Sequence, residues 1–177
     1  MNWLNEMTDI AQKYGAGAPA NIPGSVDDDF DRVSRSAPPA TMSDALAEAF
    51  RSDRTAPFPQ MLSQLFGRSP SAQKNNVLGA LIASLGPALV SQILARNGAG
   101  RAAKEIENGK TPMSPEIADQ IPASSIEVVA AEAEKKDPSI MERVSQYYAE
   151  QPALVKTLGG LALTVALARM AQRQSSR

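Results

Sequence analysis

The chain has 177 residues, 43% of them apolar and only 5% aromatic, enough for one fair-sized core or two small ones and better suited to packed helices than to a sheet. It contains neither cysteine nor histidine, which removes disulfides, thiolate chemistry, imidazole metal ligands and the usual general base near neutral pH. With 18 basic against 19 acidic residues and a net charge of −1, the balance argues against a general nucleic-acid binder.

At the N-terminus, Trp3, Met7, Ile10 and Tyr14 are spaced so that they share one stripe of a helix over residues 2–14. Gly15, Gly17, Pro19, Pro23 and Gly24 then predict a flexible or extended connector. Residues 1–24 therefore read as an amphipathic arm on a tether. Such an arm can dock on a neighbouring chain or an anionic membrane surface, or fold back on its own core. The first residues carry no basic leader and no uninterrupted apolar core, so no secretory signal is expected and the expected compartment is cytoplasmic.

Ser25 and Asp28 resemble a capping box ahead of Val26, Phe30 and Val33. The run Asp27, Asp28, Asp29, Asp31 lacks the glycine and spaced oxygen ligands of a calcium loop and reads as a solvated first helical turn. Pro38 and Pro39 end that element; Ser43 is the expected cap of the next, which buries Leu46, Ala49 and Phe50. Phe58, Met61, Leu62, Leu65 and Phe66 fit the helical template at every position, with Gly67 as the expected stop.

Ser69 and Pro70 predict a cap and first residue for a helix whose apolar face is Val77, Leu78, Leu81, Ile82 and Leu85. Gly86 and Pro87 break it. A second segment buries Leu89, Val90, Ile93 and Leu94 and ends near Asn97. Gly98, Gly100, Gly109 and the charges between them predict a linker over 98–111, separating a helical subdomain at 25–97 from another at 112–177.

Beyond it, Ser114 and Pro115 open a short helix with Ile117 and Ile121. Ser124 and Glu127 form a capping box ahead of Ile126, Val129, Ala130 and Ala133. Asp137 and Pro138 introduce Ile140, Met141, Val144 and Tyr148. The last stretch, Gln151 to Gln172, is the most apolar in the chain: from Thr157 it runs uncharged until Arg169. A helix apolar on nearly every face belongs in its own core, in a partner or at a membrane surface, and this one is short for a span, which needs about 20 residues. Pro-Ala-Leu-Val occurs at both Pro87 and Pro152, but the surrounding pieces occur in reversed order, so shared packing chemistry explains it better than duplication.

Residues through Glu150 carry 14 basic and 19 acidic side chains, those from Gln151 onward 4 basic and none acidic. The body is mildly acidic and the final helix basic, an arrangement that lets one chain's end attract another's body. Gly159, Gly160, Ala162, Ala166 and Ala168 leave that helix open to close backbone approach.

From Met113 to Gly159 the chain resembles the small helical bacterial YidB-like proteins: a Ser-Pro-Glu start, a capped helix, then Gln151, Pro152, Ala153, Leu154, Val155 and Leu158 before glycine. The resemblance covers about a quarter of the chain and implies a bacterial, helical, noncatalytic protein. It supplies no catalytic residues.

These features together predict an all-α fold, an irregular array of about nine short helices in two subdomains sharing the hydrophobic C-terminal helix. The expected role is a noncatalytic structural protein that self-associates through its arm and final helix, with Trp3, Met7, Ile10, Tyr14, Leu158, Gly159, Gly160, Leu161, Val165 and Met170 as contact residues. No cofactor, metal or nucleic acid is expected. The alternatives are a membrane-surface or protein-binding adaptor, and an enzyme using carboxylates or tyrosines in a cleft.

Overall fold

The structure, a computed structural model, describes residues 3–15 and 22–176. The expected connector therefore falls partly, at residues 16–21, outside the described residues. Among the described residues every regular element is a helix, and there are twelve of them against the about nine expected. The chain divides into two compact units: Met1–Ala56 with Tyr148–Arg177, and Pro57–Tyr147. This replaces the division into 25–97 and 112–177, because the unit that begins the chain also receives its end.

Unit 1 contains α1 (Trp3–Tyr14), α2 (Val26–Ser34), α3 (Pro39–Arg51), α11 (Pro152–Lys156) and α12 (Gly160–Ser175). Its centre is α12, which packs against α1, α3, α2 and α11. From Ala162 to Ala168 every residue of α12 is buried, which is the burial its all-round apolar sequence requires. The expected single helix over 151–172 is two, because Gly159 takes φ +94° and ψ 173°, a conformation open essentially to glycine alone.

Unit 2 contains α4 (Phe58–Arg68), α5 (Ser71–Leu85), α6 (Pro87–Arg96), α7 (Gly100–Glu107), α8 (Pro115–Asp119), α9 (Ala123–Lys136) and α10 (Ile140–Tyr148), which ends at its boundary. The main pairings are α4 with α9 and α6 with α7. All five residues of the α4 stripe are buried. Gly67 does not end α4, which runs on to Arg68; it faces α9, where a Cβ would stand 3.5 Å from that of Ala123. At Gly86, with φ +89°, the chain turns by 117° between α5 and α6. Leu89 points outward there, not into the core.

The linker expected at 98–111 is instead largely the helix α7. Ala102, Ala103 and Ile106 are buried, and the buried Ser91 hydroxyl of α6 has two acceptors for its one proton, the Ala103 carbonyl at 3.1 Å and Glu107 Oε1 at 3.0 Å.

Several helix starts differ from the expected ones for a common reason. Pro38, Pro57, Pro70 and Pro122 occupy the cap positions of α3, α4, α5 and α9, each with φ between −55° and −64° and an extended ψ. The ring presets the backbone that a cap residue needs. Ser43 and Ser124 consequently lie inside α3 and α9, while Ser69 closes α4 by donating to the Leu65 carbonyl at 2.6 Å.

Candidate functional site

The residues expected at a subunit contact are brought together within unit 1. Met7, Ile10 and Tyr14 are fully buried and Trp3 partly so, with α12 and α2 as the partners of α1. On α12, Val165 and Met170 are buried in the same core. Trp3 shares a cleft of about 200 Å³ with Met170 and Arg173, so α1 begins near the end of α12. Gly160 sits under Ile22 and Val26, at 2.8 Å and 3.7 Å from the position of a Cβ. Of the remaining expected contact residues, Leu158 is half-buried, Gly159 exposed and Leu161 43% exposed.

Polar groups fasten the same seam. Asp29 of α2 is 3% exposed and accepts from Lys13 Nζ at 3.0 Å, Tyr14 Oη at 3.1 Å, Ser25 Oγ at 3.0 Å and Arg32 Nη2 at 2.8 Å. Burial alone pushes its carboxyl upward, but the bonds from Lys13, Ser25 and Tyr14 outweigh it and hold the pKa below the usual carboxylate range. Burial, then the bond to Asp29 and its charge, push the Tyr14 hydroxyl up. Both oxygens of Asp29 are saturated with donors, so this tyrosine–carboxylate pair is a fastening and offers no free lone pair to a substrate proton. Ser36 also donates to the buried Glu6 of α1.

The opposite charges noted along the sequence meet inside the unit. Lys156 Nζ lies 2.7 Å from Asp31 Oδ2, and Asp44 of α3 receives Arg173 Nε at 3.2 Å and Arg169 Nη2 at 3.7 Å.

Unit 2 contains a cleft of about 310 Å³ along α5. Asn76, Gly79 and Ile82 line one wall, the segment Thr111–Met113 another and Tyr147 an end. Asn75 fixes that segment: its Nδ2 donates to the Met113 carbonyl at 3.0 Å and its Oδ1 accepts from the Met113 N–H at 2.9 Å. At the start of α5 the Gln73 side chain donates to the Tyr147 carbonyl at 2.9 Å. No charged side chain lines the cleft. A second cleft of about 300 Å³ lies between the start of α7 and Gln120, which accepts from Arg101 at 3.1 Å. Sequence reasoning placed Leu78, Ile82, Ile117 and Ile121 of these clefts in a core and Gly98 and Gly100 in a linker, and assigned none of the lining residues to a binding site; a glycine within an otherwise regular helix, Gly79, is the signal the sequence offers.

Among the described residues no group of three or more carboxylates is placed to hold a metal ion. No single described helix is long and apolar enough to cross a membrane. Compared with family models, curated proteins and solved structures, the chain matches none.

Proposed function

We propose that the chain is a noncatalytic helical protein that self-associates by exchanging α1 between copies. The observation that supports this is the docking of α1 as a unit, through its apolar stripe onto α12 and through Lys13 and Tyr14 onto Asp29. The sequence Ala16-Gly-Ala-Pro-Ala-Asn21 joins this helix to the rest of the chain. A helix held by a complete set of side-chain contacts can make the same contacts in a neighbour, so exchange costs little beyond association itself and is driven by concentration. In this reading Trp3, Met7, Ile10 and Tyr14 of one copy meet Val165 and Met170 of another.

The absence of cysteine makes the reading directly testable. Glu6→Cys and Ser36→Cys place thiols on two side chains in contact, and a short bis-maleimide then links whatever carries them. Two differently tagged preparations, mixed after mild unfolding and refolded at high concentration, should give a covalent species carrying both tags, and light scattering should show a concentration-dependent mass. Removal of residues 1–15 should abolish both. A strict monomer at high concentration, linked only within itself, would overturn self-association and leave a monomeric adaptor as the better account.

The membrane-surface alternative has less support, because the apolar stripe that motivated it is buried against α12. Flotation with anionic vesicles at low salt tests it.

A further inference from the structure

We propose that the cleft along α5 binds an extended, uncharged peptide segment of another protein, with Gly79 as its floor and Asn76 as its reader. The proposal concerns unit 2 and does not rest on exchange of α1.

Gly79 lies inside α5, where alanine is the better helix former. Glycine is usually kept in such a place because the backbone is left-handed or because a neighbour presses on it. Neither holds here: Gly79 is absent from the glycines of positive φ, and, its chain neighbours and the backbone of its own helix apart, no described atom lies within 4 Å of the place its Cβ would take. The residue is exposed and lines the cleft along α5. Within the chain nothing requires the missing methyl group; what it leaves is bare helix backbone over which another chain can lie closely.

The lining indicates what that chain is. At about 310 Å³ the space is at the lower end of the roughly 300–1,000 Å³ typical of ligand pockets, room for a short stretch of chain. Its side chains are neutral: Asn76, Thr111 and Tyr147 supply an amide and two hydroxyls, while Leu78, Ile82 and Pro112 supply apolar surface. An ion would leave its charge unpaired there. The neighbouring Asn75 already demonstrates the recognition chemistry, using both ends of its amide on the N–H and carbonyl of Met113. Asn76 carries the same donor–acceptor pair at the cleft wall, where its side chain makes no hydrogen bond to any described residue. It fits the peptide unit of a visiting segment, with a small aliphatic or proline side chain settling over Gly79 against Ile82 and Pro112.

The test uses the full chain labelled with ¹⁵N and a pool of acetylated, amidated tetrapeptides of Ala, Pro, Val, Leu and Ser. Saturable shifts are expected at the Asn76 side-chain amide and the Gly79 N–H. Matching peptides carrying Lys or Glu should give none. Gly79→Ala should melt at or above the wild-type temperature yet bind at least tenfold more weakly, so that loss of binding cannot be loss of fold. Asn76→Ala, at an exposed position, should also weaken binding at least tenfold. The proposal is overturned if the uncharged pool gives no saturable shift, if Gly79→Ala binds as well as wild type, or if uncharged nucleosides occupy the cleft in place of peptides.

Discussion

Ile22 Cγ2 lies 2.8 Å from the point that a Cβ on Gly160 would occupy, inside the distance at which real side-chain atoms meet. The first turn of α12 is thus shaped to admit a β-branched residue that precedes α2. Alanine at Gly160 gains helix propensity, up to about 1 kcal/mol, but must displace Ile22, at a cost of about 1–3 kcal/mol typical of overpacking. Gly160→Ala should therefore destabilise the fold by about 1 kcal/mol. In an Ile22→Ala background the obstruction is gone and the same change should stabilise. Urea unfolding of the four proteins measures the coupling; strictly additive effects would show that Ile22 simply moves aside.

Asp29→Asn keeps the shape of the buried side chain but removes the charge that Lys13, Arg32, Tyr14 and Ser25 share. A loss of about 1–3 kcal/mol near pH 7 is expected. The folded carboxyl titrates below its usual value, so its contribution is complete above the unfolded pKa of about 3.9 and disappears as pH falls through the lower folded value. The stability gap between wild type and variant should close on acidification below pH ~4. A gap constant with pH would show that the charge contributes nothing. The exposed Asp119, lowered chiefly by the Ser71 hydroxyl, and Asp137, lowered chiefly by that of Ser139, titrate in the same sense, so acid sensitivity should persist in the variant.

The two sides of α1 should respond very differently to truncation. Ile10 is fully buried and Leu4 is 53% exposed. Ile10→Ala is expected to cost about 2–5 kcal/mol, whereas Leu4→Ala should stay within about 0.5 kcal/mol of wild type. Denaturant midpoints at equal protein concentration distinguish them, and equal effects would contradict the packing of α1 on α12.

Gly67 and Gly159 should differ in sign. A methyl group on Gly67 would make ordinary contact with Ala123 at 3.5 Å inside a continuous helix, so Gly67→Ala should stabilise by about 0.5–1 kcal/mol. Gly159 holds φ +94°, and Gly159→Ala should destabilise by about 1–3 kcal/mol. Thermal melts of the two variants should move in opposite directions.

Helix class and inward faces were legible because they depend on local periodicity. Phe58 to Phe66, Ile126 to Ala133 and the Trp3 stripe needed only their spacing to be recognised. Helix starts were less legible: serine was favoured as a cap, yet at Pro38, Pro70 and Pro122 a fixed φ substitutes for a side-chain hydrogen bond. The 98–111 stretch was misread because its glycines and charges outweighed the spacing of Ala102, Ala103 and Ile106, which is the pattern of a helix covered on one side. The destination of the final helix was hidden for a deeper reason. Apolar residues on every face dictate burial without naming the partner, and nothing local to Val165 or Met170 specifies α1.

Unit 1 is made from two stretches of chain with the whole of unit 2 between them, and this sets an order on biosynthesis. The ribosome releases α1, α2 and α3, then every residue from Pro57 to Tyr147, before it begins the helix on which the first three close. At about 5–20 residues per second that interval is on the order of ten seconds, at the end of which unit 2 has its full sequence while unit 1 still lacks its centre. Met7, Ile10, Phe30 and Phe50 must pass that time without α12, so the nascent chain presents a greasy half-built shell for as long as translation takes to cross the insert.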